Sequence, residues 1–161
     1  MEIFDRNYKL FYLVIVFLSL FLTHESFTSQ RQNEKFELKD INQIKDIGSL
    51  DVSKDAQLIT YTVSSVDQKN DEYDTDIWMF DFKKDRDKLI VGSADSPKFS
   101  PNSNYVAYLS PGRGKYSDYQ QLWFFNRQTA TKRQMTKIES NVTDFEWSPD
   151  GSKIVMVINV K

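Results

Sequence analysis

The sequence predicts an all-β chain: an incomplete β-propeller of about two and a half four-stranded antiparallel blades, preceded by an apolar N-terminal helix. Three observations predict it. A strand–turn–strand signature occurs three times, with its serine at 53, 100 and 148, so the copies lie 47 and 48 residues apart. A second pair of segments, Asp76–Phe82 and Gln121–Arg127, repeats at a spacing of 45. Between them the units divide into short strands, and a repeat of roughly 40–50 residues made of short strands is the mark of propeller blades. A generic antiparallel sheet with aromatic strands is the plainer alternative. The agreement of two independent registers argues against it.

Taken in order, the chain opens with Met1–Lys9, where Arg6 and Lys9 stand among Glu2 and Asp5. Leu10–Leu22 is then apolar except for Ser19. As a helix this run would rise about 20 Å, short of a hydrocarbon core of about 30 Å, and its length suits the apolar part of a secretory signal. Thr23–Gln30 carries no clean small-residue cleavage pattern, so the expectation is a signal peptide or an uncleaved membrane anchor over residues 1–29. Residues 30–48 are expected to be a polar connector and a short helix, because Leu38, Ile41 and Ile44 fall at helical spacing within Phe36–Ile47. The partial propeller is expected over 49–161, with blades at about 49–92 and 96–137 and a half blade at 143–161.

Each blade begins with the hairpin signature. In the third copy, Ser148-Pro149-Asp150-Gly151 has strong turn chemistry: proline presets φ, aspartate suits the next position and glycine accepts φ > 0. The second copy keeps Ser100, Pro101 and Asn102 but has Ser103 in place of glycine. The first has Lys54 and Ala56 in place of both proline and glycine. Gly151→Val is therefore expected to do more harm than Ser103→Val. After each turn comes an apolar or mixed strand, with Ile59, Val106 and Ile154 at one aligned position and Tyr61, Tyr108 and Met156 two residues on. A near-continuous apolar strand fits an element covered on both faces. Asp76–Phe82 and Gln121–Arg127 supply the third strand; Leu89-Ile90-Val91 and Gln134-Met135-Thr136 supply the fourth. Ser64–Thr75 and Ser110–Tyr119 read as polar loops between strands.

Composition narrows the function. Net charge is −2 with acidic and basic residues interspersed, and no basic stripe is present, which argues against nucleic acid as a partner. The chain has no cysteine, hence no disulfide framework and no thiolate metal site. His24, just past the apolar run, is the only histidine, and none of the five glycines opens a G-x-S-x-G elbow. A Ser-His-Asp mechanism is therefore not expected in the mature chain, and no catalytic, cofactor or metal residue is assigned. Gly112-Arg113-Gly114 is far short of a phosphate loop and reads as a turn. Asp71, Glu72, Asp74 and Asp76 cluster in the first long loop; they read as a solvated loop ahead of a cation site, since an EF-hand glycine and distal glutamate are lacking. Trp78, Trp123 and Trp147 sit at strand positions and read as blade-packing residues rather than a ligand groove. Asn141-Val142-Thr143 is a glycosylation sequon, which matters only in a eukaryotic host.

The blade signature, led by Trp147-Ser148-Pro149-Asp150-Gly151 and supported by Asp76-Ile77-Trp78, resembles the propeller of the prolyl oligopeptidase superfamily. Within it, the acylaminoacyl-peptidase and dipeptidyl-aminopeptidase branch is the nearest likeness, over roughly residues 36–161. The resemblance implies a propeller that caps an α/β-hydrolase domain and restricts access to peptides. As read, the chain stops inside the third blade, so none of the family's catalytic residues has a counterpart. The expected role is that of a non-catalytic propeller segment of an exported serine peptidase, periplasmic, secreted or membrane-anchored. The alternative is a TolB-like binding module of the cell envelope. A separately encoded hydrolase domain, or self-association through open blade edges, is the expected partner. Alone, the chain is expected to be marginally stable and adhesive.

Overall fold

A computed structural model of the chain describes residues 40, 44–67, 69–70 and 72–160. The apolar run Leu10–Leu22 and His24 lie outside the described residues.

The described chain is ten strands in three antiparallel sheets. Strands β1 (Asp46–Val52), β2 (Leu58–Asp67), β3 (Glu72–Asp81) and β4 (Arg86–Val91) form the first, in sequence order. Strands β5 (Asp95–Phe99), β6 (Tyr105–Pro111), β7 (Gln120–Asn126) and β8 (Lys132–Gln134) form the second in the same order. Strands β9 (Val142–Trp147) and β10 (Ile154–Ile158) form a third, two-stranded sheet. Each four-stranded sheet is thus a plain up-and-down meander, which is how one propeller blade is built.

Alternation of side chains distributes the core between sheets. From β6, Val106 and Tyr108 pack into a cluster with Leu58 and Ile77 of the first sheet. The intervening Ala107 and Leu109 pack on Val142 and Phe145 of β9. The whole run Val106–Leu109 is therefore buried, half of it on each face. Each fully buried side chain of this size contributes about 1.5–3 kcal/mol, so the two junctions hold the sheets side by side without any disulfide.

Several element bounds differ from the hydrophobic pattern. β1 starts at Asp46, where Asp46 pairs with Ser64 and Ile47 with Val63, so the end of the Phe36–Ile47 stretch is strand. The reason is β2, whose residues Ile59–Ser64 take β1 as their partner on that edge. The polar stretch 64–75 is not all loop either. β2 and β3 stay paired out to Asp67 and Glu72. Ser64 and Thr75 hydroxyls bond across the strands at 2.8 Å, and Asp67 closes the turn by accepting from Lys69 N at 2.9 Å and Asn70 Nδ2 at 2.7 Å. Polar cross-strand pairs thus do there what apolar alternation does elsewhere. β8 ends at Gln134, two residues before the apolar pattern would end it, and Met135 and Thr136 both donate their N–H to Leu122 O.

Candidate functional site

The three hairpin turns share one hydrogen-bond set. In each, the residue three past the serine donates its N–H to the serine carbonyl: Ala56 to Ser53 at 2.8 Å, Ser103 to Ser100 at 2.7 Å and Gly151 to Ser148 at 2.8 Å. In each, the serine hydroxyl donates to the carboxylate or amide two residues on: Asp55 at 2.7 Å, Asn102 at 2.8 Å and Asp150 at 2.6 Å. In each, that hydroxyl also accepts the N–H five residues on: Leu58 at 3.0 Å, Tyr105 at 3.0 Å and Lys153 at 2.9 Å. The turn is therefore held by Ser-x-Asp/Asn and not by Pro and Gly, which only the third copy has in full. The third position is left-handed in every copy, with φ of 53° at Ala56, 56° at Ser103 and 71° at Gly151. Ser103 already carries its Cβ at this φ, whereas Gly151 has none and a Cβ there would lie 3.3 Å from Pro101 Cδ, so the backbone cost of a new side chain falls on Gly151. The Ser148 hydroxyl, then the Ser152 N–H and hydroxyl, hold the Asp150 carboxyl down to about 2. Asp55 is lowered in the same way, by the Ser53 hydroxyl first and the Gln57 N–H second.

The innermost strands β1, β5 and β9 line a cleft of about 600 Å³. Side chains two residues before each turn serine cross it. Asp51 accepts the N–H of Phe99 at 2.6 Å, and Lys98 donates to the carbonyl of Phe145 at 2.6 Å and to Glu146 Oε2 at 2.7 Å. These are backbone groups on the open edges of β5 and β9, left without a strand partner. Burial pulls the Lys98 ammonium down, but the Glu146 and Asp144 carboxylates outweigh it and raise it above its ordinary value. The cleft is thus a wall stitched from sheet to sheet, with its central cation already engaged.

A second repeated position anchors the sheet-to-sheet connections. Asp76 Oδ1 accepts Ser93 N at 3.2 Å; its counterpart Gln121 accepts Ile138 N at 3.1 Å and Thr136 Oγ1 at 2.9 Å. Gln121 also donates to Ile138 O at 2.9 Å and Ser140 O at 3.1 Å, and is wholly buried. Sequence reasoning noted neither this role nor that of Asp51 and Lys98. The signal was present in the aligned positions 76 and 121, which carry a hydrogen-bonding side chain just before the apolar run of each third strand.

Trp123 is buried, stacks on Tyr108 at 6.3 Å and donates Nε1 to Ser110 O at 3.2 Å. Burial in that stack pushes the Tyr108 phenol up to about 12. Trp78 is half-buried in β3, opposite Tyr61 and Leu89. Trp147 is half-buried, packs on Phe124 at 5.0 Å and leaves Nε1 without a partner. The three indoles are thus dispersed over three sheets and do not form one groove. Of the acidic cluster, Asp71 lies outside the described residues. Asp74 accepts the Ser93 hydroxyl at 3.1 Å, so it and Asp76 cap the β4–β5 connection. Among the described residues no three acidic or imidazole side chains converge as a metal site. Arg113 of the Gly112–Gly114 turn lays its guanidinium on the Trp123 ring at 4.9 Å. Gly112 is required there, since a Cβ would lie 2.5 Å from Tyr116 O.

No family model matches the chain. It is 26% identical over 124 residues to an uncharacterised peptidase of Bacillus subtilis, YuxL, covering 75% of this chain and 18% of that protein. Among solved structures it resembles an acylaminoacyl peptidase of Pyrococcus horikoshii, with TM-score 0.62 at 15% identity over 73% of this chain and 18% of that one. The β-propeller domain of the Trilobed protease of Pyrococcus furiosus matches with TM-score 0.60 at 15% identity, over 71% and 34% of the two chains. A putative TolB of Agrobacterium tumefaciens matches with TM-score 0.55 at 19% identity, over 73% and 39%. The chain spans less than a fifth of YuxL and of the acylaminoacyl peptidase and about a third of an isolated propeller domain. Meander sheets side by side, the repeated Ser-x-Asp/Asn turn and the likeness to YuxL agree with the blade motifs: the chain carries β-propeller blades similar to those of the peptidase and TolB-type structures it matches.

Proposed function

We propose that the chain acts as a non-catalytic propeller segment of an exported serine-peptidase-type assembly, forming part of the wall through which peptides reach a hydrolase domain. One observation carries this reading. Across the cleft Asp51 and Lys98 are committed to backbone of the neighbouring sheet and Glu146 to Lys98, which favours a cleft that holds sheets together over one that binds or turns over a substrate. The likeness to YuxL, named as a peptidase, supplies the class of the assembly. The purified full chain is expected to leave acyl-peptide anilides and p-nitrophenyl esters uncleaved. Turnover that stays with the chain through successive columns and is stopped by a serine-directed phosphonate would overturn the non-catalytic reading. Export is assigned to Leu10–Leu22: Val14→Asp with Phe17→Asp is expected to retain the product in the cytoplasm, and unchanged fractionation would refute it.

A TolB-like binding module is the second reading, favoured by the TolB likeness. The two separate on a partner test. Added to a propeller-deleted relative of YuxL, the chain is expected to suppress cleavage of casein more than cleavage of a short peptide. Equal rates with and without it would favour the binding module.

A further inference from the structure

Cations of the second sheet gather at its outer edge. Arg113, Lys132, Arg133 and Lys137 come from two separate stretches of sequence, yet with Gln134 and Met135 they line one groove of about 680 Å³. All four are exposed, and none enters an ion pair among the described residues. Among the described residues no carboxylate lines the groove. The acids of the same two stretches are engaged: Glu139 pairs with Lys115 at 2.8 Å, and Asp118 accepts the Ser117 hydroxyl at 3.3 Å. The groove is thus of one sign in a chain whose net charge is −2. The outer strand of the first sheet differs, since in β4 Asp87 stands between Arg86 and Lys88.

The groove runs along an open strand edge. β8 is the last strand of its sheet, farthest from the cleft that β5 lines. On its inner side, Asn126 donates its N–H to Thr131 O at 2.8 Å and Met135 donates to Leu122 O at 2.8 Å. Residues 131, 133 and 135 therefore turn their backbone toward β7, and Lys132 and Gln134 between them turn N–H and C=O outward. Side chains alternate as well. Gln134 stands opposite Trp123, on the face where Arg113 lays its guanidinium on that ring and donates its N–H to Gln134 Oε1 at 3.0 Å. Lys132 shares that face, and Arg133 lies on the other. Open backbone donors and acceptors are thus flanked by cations on both faces. The sheet that carries them packs against the first sheet on one face and against β9 on the other, so this edge is not an end of the sheet series.

We propose that the outer edge of β8 docks an extended acidic peptide segment of a partner protein, which adds to the second sheet as a fifth strand with its carboxylates against Arg113, Lys132, Arg133 and Lys137. Two features choose this occupant. A phosphate or a lipid headgroup would meet the cations, but it offers no donor to the outward carbonyls of Lys132 and Gln134. A peptide strand offers both donors and acceptors. Lysine and arginine along an edge hold off a basic strand, which is the usual protection of such edges, whereas they draw in an acidic one. The proposal stands apart from the peptidase reading and does not depend on it.

The test uses the full chain in non-ionic detergent and a fluorescein-labelled peptide, Thr-Glu-Val-Glu-Val-Glu-Thr, read by fluorescence anisotropy. In about 50 mM salt the peptide is expected to bind with a Kd below about 100 μM, and at least about fivefold more weakly in about 300 mM salt. Lysine in place of each glutamate should abolish binding. N-methylation of one alternate set of peptide amides should weaken binding at least about tenfold, and of the other set less than about threefold, because only one set faces the edge. Lys132→Glu with Lys137→Glu should weaken it at least about tenfold, whereas Lys83→Glu with Lys153→Glu, an equal charge change at other exposed sites, should alter it less than about threefold. Circular dichroism checks the fold of both variants, and the methylated peptides decide on the unaltered chain. A Kd above about 1 mM would overturn the proposal. So would indifference to both methylated sets, which leaves charge alone, or equal loss in the two charge variants. Tighter competition by inorganic tripolyphosphate or by phosphatidylglycerol vesicles than by unlabelled peptide would reassign the groove to a phosphate or a membrane.

Discussion

Replacing the turn serines by alanine separates the roles of the hydroxyl at buried and exposed copies. Ser53 and Ser100 are 3 and 4% exposed, and they satisfy the buried donor Leu58 N and the part-buried donor Tyr105 N. Ser100→Ala removes the bond to Asn102 Oδ1 at 2.8 Å and the bond from Tyr105 N at 3.0 Å. Two such bonds are worth about 1 kcal/mol each, and a stranded part-buried donor adds to the loss, so the expected cost is about 2–3 kcal/mol. Ser148 makes the same bonds, to Asp150 and from Lys153, but at an exposed turn where water replaces them. There the expected cost is about 0.5–1 kcal/mol. Urea unfolding followed by tryptophan fluorescence reads the difference as a midpoint shift at constant slope. With a slope of about 1.5 kcal/mol per molar, Ser53→Ala and Ser100→Ala should each lower the midpoint by more than about 1 M, and Ser148→Ala by less than about 0.7 M. Equal shifts at all three serines, or the largest at Ser148, would refute the claim that burial of the shared bond set decides its value.

Gly151→Val is expected to cost about 2–3 kcal/mol in urea, because it brings a β-branched side chain to a left-handed φ beside Pro101, and Ser103→Val about 1–2 kcal/mol, since a side chain already stands at that φ and the change adds β-branching and the loss of the Lys54 N–H bond. Gln121→Leu should cost about 3 kcal/mol and speed hydrogen exchange across residues 136–141, since Ile138 N and Thr136 Oγ1 lose their acceptor. Asp150 has its folded value depressed to about 2 from 3.8, so its contribution is complete above 3.8 and is lost as pH falls toward 2. Thermal unfolding between pH 7 and pH 2 should therefore show a shallower acid decline for Asp150→Asn than for the parent chain. Lys98→Met should cost about 1 kcal/mol, the charged hydrogen bond to Phe145 O being partly solvent-screened.

Where hydrophobic pattern and turn chemistry agree, the elements were legible in the sequence. β6 is recognisable because Val106–Leu109 is apolar at every position, and only a strand covered on both faces uses that pattern. The aligned β3 and β7 were legible for the same reason, from Ile77-Trp78-Met79-Phe80 and Leu122-Trp123-Phe124-Phe125. The polar half of β2 was not, because Ser64, Ser65 and Asp67 carry loop chemistry, while the ladder is held there by the cross-strand Ser64–Thr75 hydroxyl bond and by the Asp67 carboxylate closing the turn. The start of β1 was obscured by the helical spacing of Leu38, Ile41 and Ile44, of which Leu38 and Ile41 lie outside the described residues. In the candidate site, the serines were visible as register marks, but their bonding role was not. Proline and glycine drew attention as the strongest turn formers, while Ser-x-Asp/Asn, present in all three copies, does the holding.

The inner-edge stitches show how a repeat keeps its geometry while its sequence drifts. Every inner strand leaves N–H and C=O groups without a strand partner, and desolvating them unpaired would cost more than most surface substitutions. The neighbouring sheet supplies one side chain from a fixed position, two before its turn serine. That side chain is free to be an acid or a base, provided the backbone group it meets is of the opposite kind. Asp51 meets an N–H and Lys98 a C=O, at the same 2.6 Å. Opposite charges at equivalent positions therefore perform one task, and a comparison that scores residue identity sees no repeat there. The same logic accounts for Asp76 and Gln121, a carboxylate and an amide that each accept a backbone N–H from the following connection. What repeats along this chain is the placement of a hydrogen-bonding group against a bare stretch of neighbouring backbone. That placement, with the apolar faces between the sheets, makes the segment a wall.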